Sequence, residues 1–392
     1  MRARLTLPVL CLLVAGCGGS GAKPATDQGP PALGRPAPKA EATQAAQDLG
    51  FPGFATKNTT RVGGADPVAD AAGVALAVFP SAASDARPSA VSIVDAGDWR
   101  AAISAAQLLA SPVVAPILFS QGGKLPVATA DALKTLQPTG ARKLGGAKVV
   151  RIGNAAGTPP GLQAESAGGS DPAVIARSID ALQAQAAGSR TREVIVAPAD
   201  APSYAMPAAG LAAKTGAPVL WTGKTSLPRA TVRAIRARKN PRIYVIGPPS
   251  AVAANVVRAL GNLGPVKRIH GADPVTNAIA VARFSDGAFG WNLVDPGHGL
   301  VLANADRTND AAAAAPLSAT GSHGPLLLVT DGAAIPSALQ SYLLDIQPGY
   351  DKDPVRGVYN HAWLLGDAGA ISGPVQSRID TLLEIQPVGR AR

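Results

Sequence analysis

Hydrophobic positions along this chain fall into short continuous runs of four to six residues, separated by longer stretches where small apolar residues recur among polar ones. Runs of that length read as strands buried on both faces, the mark of a parallel sheet, and the longer stretches as covering helices. The runs come in three sets that repeat in the same order. A first strand (Ala90 to Val94, Glu193 to Ala197, Leu300 to Asn304) leads to an acidic turn holding Asp98, Asp200 or Asp306, then to a small-residue helix such as 310–315. A second strand opens with proline: Pro116-Ile117-Leu118-Phe119, Pro218-Val219-Leu220-Trp221 and Pro325-Leu326-Leu327-Leu328-Val329. Each passes through a glycine-containing turn to Pro126, Pro228 or Pro336, where proline suits the first turn of a helix. A third strand ends each set at Gly153, Gly247 and Gly366.

One phrase punctuates the sets. It reads Gly-Gly-Ala-Asp-Pro at 63–67, Gly-Gly-Ser-Asp-Pro at 168–172 and His-Gly-Ala-Asp-Pro at 270–274, with intervals of 105 and 102 residues between its aspartates. That spacing is the size of a small α/β domain. Asp66, Asp171 and Asp273 are read as helix caps rather than ligands, since Asp accepts from exposed amides and Pro fits the first helical position. The fold class is α/β, three tandem α/β repeats with small, mainly parallel sheets covered by helices. Repeat 1 spans 56–160, repeat 2 161–264 and repeat 3 265–386, followed by a tail at 387–392. The acidic turn of repeat 1 aligns with the others only through a one-residue gap.

The N-terminus adds a compartment. Arg2 and Arg4 precede an apolar stretch from Leu5 to Val14 that is too short to span a membrane. Val14-Ala15-Gly16-Cys17 resembles a bacterial lipobox, which implies a lipoprotein signal peptide at 1–16, cleavage before Cys17 and a lipid on its sulfur. Residues 17–55 then comprise the lipidated cysteine and a Gly-, Pro- and Ala-rich disordered tether. Cys11, the only other cysteine, lies in the discarded segment, so the exported fold is expected to hold neither a disulfide nor a free thiol. No other segment is apolar and long enough to cross a membrane.

Charge changes the picture of partners. The formal net charge is +10, and residues 161–266 hold 12 basic side chains against 5 acidic ones. An exported basic protein favours anionic wall polymers or lipid headgroups. Nucleic acid is set aside, because export and the scarcity of aromatic residues leave no stacking platform.

The run Val301 to Asp306, with Asp310 to Pro316, Gly324 to Leu328, Ile335-Pro336 and Leu364 to Gly366, is similar to the cell wall-binding repeat type 2 family, with three copies over about 60–384. The resemblance implies a pseudo-threefold arrangement of the subdomains and non-covalent binding of an anionic wall polysaccharide in grooves between them. It also implies an anchoring role for Pro116, Ile117, Leu118, Pro218, Val219, Leu220, Pro325, Leu326 and Leu327, although core packing is the commoner role of such strands. The chain departs from the family in carrying Pro67, Pro172 and Pro274 where arginine is usual, so any polymer contact by that arginine is missing.

Candidate polymer contacts fall in two places. Asp98, Asp200, Asn304, Asp306, Arg307, Asn309 and Asp310 lie past strand C-termini, where open parallel sheets place ligands. Their carboxylates would need a bridging divalent cation or a hydroxyl-rich sugar. Arg233, Arg236, Arg238, Lys239 and Arg242 lie in a segment, 229–242, read as one basic helix suited to phosphate or uronate groups. No cofactor is expected. His270, His298, His323 and His361 lack metal spacing, and no nucleophile elbow or phosphate loop is present, so an enzyme is not expected. The reading is a lipid-anchored, extracytoplasmic wall-binding protein. The alternative is a solute-binding lipoprotein for a small sugar or anion, disfavoured by triplication.

Overall fold

A computed structural model of the chain describes residues 54–319 and 324–388. Cys11, Cys17, the signal segment and nearly all of the tether lie outside the described residues, as does His323. The described residues open with β1 (Phe54–Ala55) and β2 (Thr59–Val62), then α1 (Pro67–Val78). The first unit continues through β3 (Val91–Asp95), α2 (Trp99–Ala105), β4 (Ile117–Ser120), α3 (Val127–Leu136), β5 (Val149–Ile152) and β6 (Ala164–Ala167). The second holds α4 (Pro172–Ala187), β7 (Glu193–Pro198), α5 (Pro202–Ala205), α6 (Pro207–Thr215), β8 (Val219–Thr222), α7 (Arg229–Arg236), β9 (Arg242–Ile246), α8 (Ala254–Gly261) and β10 (Val266–Ile269). The third holds α9 (Pro274–Arg283), a small hairpin of β11 (Ser285–Asp286) and β12 (Phe289–Gly290), β13 (Gly299–Asn304), α10 (Asp310–Ala319) and β14 (Leu326–Val329). It ends with α11 (Ser337–Asp345), β15 (Gly349–Tyr350), β16 (His361–Leu365), α12 (Gly373–Leu383) and β17 (Gln386–Pro387), which pairs with β15.

Three sheets share one order of parallel strands, β4-β3-β5-β6, β8-β7-β9-β10 and β14-β13-β16-β2, and β1 adds an antiparallel edge to β2 in the third. The fourth strand of each is the segment immediately before an Asp-Pro phrase, and the helix after the phrase lies over the second strand of the next unit: α1 on β4, α4 on β8, α9 on β14. Each phrase is therefore the handover between units. For the third sheet the fourth strand comes from the beginning of the chain: β2 pairs in parallel with β16, Thr59 opposite Ala362 and Val62 opposite Leu365. The ring of three units is closed by this strand.

Side chains fasten the closure. Buried Arg61 donates to Gln376 Oε1 through Nε (3.0 Å) and Nη2 (2.8 Å), and to the carbonyls of Gly366 (2.9 Å), Asp367 (2.7 Å) and Ile371 (2.6 Å). Such a fork of donors makes five hydrogen bonds to four acceptors from one rigid group. The Asn58 amide adds a bond to Asp380 on α12 (2.7 Å).

The phrase's aspartates cap their helices as expected. Asp66 accepts from Val68 and Ala69, Asp171 from Val174, and Asp273 from Val275 and Thr276 within a capping box. The small-residue segments meet on the pseudo-threefold axis, where α10 packs against α6, α1 and the 3-10 turn 106–109 that extends α2. Alanine makes this approach possible: Ala105, Ala106, Ala208, Ala209, Ala212 and Ala312 are fully buried. At Gly210 even a methyl is excluded, because a Cβ there would sit 2.7 Å from Ser318 Oγ.

One expected element ends early. The basic helix stops at Arg236 rather than continuing to Arg242, since Asn240 takes a left-handed φ of 49° before Pro241, and Arg242 instead opens β9.

Candidate functional site

An alanine directly follows β3, β7 and β13: Ala96, Ala199 and Ala305. Each alanine amide donates 2.8 Å to the end of the neighbouring strand, at Ser120, Thr222 and Val329. Each alanine carbonyl faces the preceding unit and accepts from a side chain there. Arg100 Nε donates to Ala199 (2.7 Å), Ser203 Oγ to Ala305 (3.3 Å) and Asn309 Nδ2 to Ala96 (2.8 Å). Every donor stands four residues after its own unit's alanine. The three turns thus form a closed cycle of hydrogen bonds about the axis, at the strand ends where open parallel sheets place ligands.

This cycle fixes the register without a gap. Asp200 and Asp306 directly follow their alanines and correspond to Gly97, whereas Asp98 caps α2 through the Ala101 amide (3.0 Å). Asp200 and Asp306 are exposed. Asn304 is buried, donating to the Ala370 carbonyl (3.0 Å) and accepting from the Asp306 amide (3.0 Å).

The three junctions differ in chemistry. Between units three and one, Arg307 binds Asp310 Oδ2 through Nε (2.7 Å), the Ala65 carbonyl (3.3 Å) and the Asp70 carboxyl. Asp70 and Asp310 are fully buried. Burial, reinforced by the charge of Asp310, pushes the Asp70 carboxyl up to about 8 despite Arg307 and the Gly64 amide. Asp310 is raised too, chiefly by burial. Two carboxyls and one guanidinium in such a place are neutral only if a proton is retained. Between units one and two, the Arg100 guanidinium lies 4.4 Å over the Trp99 ring, which meets Trp221 edge-on at 5.3 Å, and Asp200 is 4.0 Å from Arg100. Between units two and three, the Tyr204 hydroxyl donates to the Ala272 carbonyl (2.9 Å), and Asn277 Nδ2 donates to the Tyr204 carbonyl (3.1 Å).

Trp99 and Arg100 were not singled out from sequence, although their position directly after Asp98 was the available signal. An aromatic face beside an arginine and a carboxylate is chemistry that suits a sugar carrying anionic groups.

The basic segment divides in two. Arg233, Arg236 and Lys239 are exposed. Arg238 is buried, binding Asp180 Oδ2 (3.0 Å) and the carbonyls of Ala234 (2.7 Å) and Thr191 (2.9 Å), so it is part of the interior of unit two. Arg242 pairs with Glu193 on the adjacent strand. The apolar trios Pro116-Ile117-Leu118, Pro218-Val219-Leu220 and Pro325-Leu326-Leu327 are buried, and their proline carbonyls accept from the neighbouring strands at Ser92, Ile195 and Val301. Among the described residues no group of three His, Cys, Asp or Glu side chains is placed to hold a metal ion, and no helix is long and apolar enough to cross a membrane.

The family model described as cell wall binding domain 2 matches residues 167–257 and 268–376, just over half of the chain. These segments begin at or just before the second and third Asp-Pro phrases. Among solved structures, Cwp6 from Clostridium difficile is similar with a TM-score of 0.67 at 19% identity, over 83% of this chain and 48% of that one. Cwp8 from Clostridium difficile gives 0.62 at 18% identity, over 84% and 52%. The chain therefore spans about half the length of these structural relatives. A search of curated proteins gives no match.

Proposed function

Because this chain belongs to the cell wall binding domain 2 family, we propose that it is a lipid-anchored, extracytoplasmic protein that grips an anionic wall polysaccharide through its three units. The observation that carries this reading is the interlocked ring of turns, which presents three related but chemically distinct junctions at the strand ends. Weak contacts at several junctions along one repeating polymer add through effective concentration. Arg100 on Trp99, with the exposed Arg233, Arg236 and Lys239, supplies the attraction for phosphate or uronate groups. Asp200 and Asp306 face sugar hydroxyls. A bridging cation is not required by this reading, which is of a binding protein rather than an enzyme. Lipid on Cys17 would hold one end at the outer face of the membrane while the units hold the wall.

The test uses the mature chain carrying Cys17→Ser, sedimented with purified wall. It should pellet, with or without a chelator. Arg233→Ser/Arg236→Ser/Lys239→Ser should pellet less and lose most of the salt dependence. Failure of the parent protein to pellet would refute the reading. Membrane fractionation of the Cys17→Ser chain separately checks the anchor, which predicts release into the soluble fraction.

A further inference from the structure

Unit one carries a groove that plays no part in the ring of turns. Its volume is about 660 Å³, within the range of small-molecule sites. One wall is a stripe of α3 at helical spacing, Ala130, Leu133 and Lys134, continued by the helix cap Gln137. The other is the loop between β5 and β6, which brings Pro159, Pro160 and Leu162.

The groove is polarised. Helix α3 runs back along the parallel strands, so its last turn, with Lys134, and its cap Gln137 lie at the end where strands start. Arg87 precedes β3 and Lys148 precedes β5, which puts both at that same end. Their backbone neighbours are pinned there: the Thr139 amide donates to Pro88 (3.0 Å), Lys148 donates to Gln163 (2.8 Å), and Val91 donates to Lys148 (2.9 Å). Leu125, just ahead of α3, marks the opposite, apolar end. Among the described residues Arg87 uses only its Nε, toward the Ser81 carbonyl (3.4 Å), and no carboxylate lines the groove. Three cations at one end of a Leu- and Pro-walled trough therefore face no counter-charge within it.

A wall polysaccharide has nothing to place against leucine and proline. A free anion has nothing to gain from them. We propose that this groove binds one anionic amphiphile, an aliphatic chain bearing a phosphate group, with the phosphate on Arg87, Lys134 and Lys148 and the chain along Leu133, Leu162 and the two prolines. The arginine fork and two ammonium groups match a dianion, and the trough removes the chain from water.

The probe is dodecyl phosphate, kept below micelle-forming concentration and titrated calorimetrically into the mature chain carrying Cys17→Ser. One equivalent should bind, at least tenfold tighter than inorganic phosphate and tenfold tighter than the uncharged dodecyl maltoside. Lys134→Ser/Lys148→Ser, at exposed positions, should weaken it at least tenfold. Ala130→Glu, also exposed, should abolish it by placing a carboxylate in the trough, while Arg233→Ser leaves it unchanged. Circular dichroism melts matching the parent show that these variants fold. Absence of a saturable site, equal affinity for inorganic phosphate or for dodecyl maltoside, or unchanged binding by folded Ala130→Glu protein would each overturn the proposal. Ala130→Glu protein should still pellet with wall. A folded variant that no longer did so would reassign the groove to the polymer and overturn the amphiphile.

Discussion

Replacing Asp310 by asparagine should change how the stability of this protein depends on pH. In the parent, burial lifts the Asp70 carboxyl from 3.8 to about 8, so the folded state keeps a proton that the unfolded chain has released. Between about pH 4 and 8 the native state therefore binds more protons, and stability falls as pH rises. One retained proton gives a slope of at most ~1.4 kcal/mol per pH unit. Allowing for the taper near pH 8, raising the pH from 6 to 8 should remove about 2 kcal/mol. Asp310 Oδ2 accepts from Arg307, while its buried Oδ1 has no other donor than the proton that Asp70 retains. An asparagine with its oxygen toward Arg307 keeps that bond, turns an amide donor into the place of Oδ1, and leaves Asp70 and Arg307 as a neutral pair. Urea unfolding of both proteins from pH 5 to 8.5 measures the effect, since other titrating groups cancel in the difference. The variant should gain about 2 kcal/mol on the parent across that rise. Parallel curves would mean that Asp70 is ionised throughout and would refute the reasoning.

Two further substitutions probe the interior. Arg238→Ala should cost about 3 kcal/mol by leaving buried Asp180 with only Arg190 at 3.2 Å and the Gln107 amide at 3.4 Å, while Arg233→Ala stays within about 0.5 kcal/mol; equal urea midpoints would contradict the division of the basic segment. Gly210→Ala should cost roughly 1–3 kcal/mol by pushing on Ser318, and Gly210→Ala/Ser318→Ala should recover at least half of it. An additive double-mutant cycle would show that the two helices do not press together there.

What the sequence disclosed and what it hid follow the range of the interactions. The caps at Asp66, Asp171 and Asp273 were legible because donor and acceptor lie within three residues. The central strands were legible as continuous apolar runs. Nothing in Thr59-Thr60-Arg61-Val62 announces a strand of the third sheet, because its pattern is mixed and its partner at 362–365 lies at the far end of the chain. The cationic run continues across Asn240 and Pro241 and so predicts a helix through to Arg242, although the proline is there to stop it. Arg238 looks like Arg233 in sequence; what separates them is Asp180, 58 residues away. The cycle of turns was hidden for a related reason. Its three donors are an arginine, a serine and an asparagine, alike in geometry and not in residue type.

Closure by β2 also sets the copy number. The handover from β6 to α4 and from β10 to α9 is covalent, whereas the handover from the third sheet to α1 is made by docking. A fourth unit added after residue 388 would compete with β2 for the edge of β16, and removal of any one unit would leave a carbonyl among Ala96, Ala199 and Ala305 facing the wrong donor. The architecture thus behaves as a loop that admits three members, in which the sheet completed by β2 is also the one that carries the last unit. A pull on the residues before Phe54 reaches the ring at the one handover that no peptide bond secures.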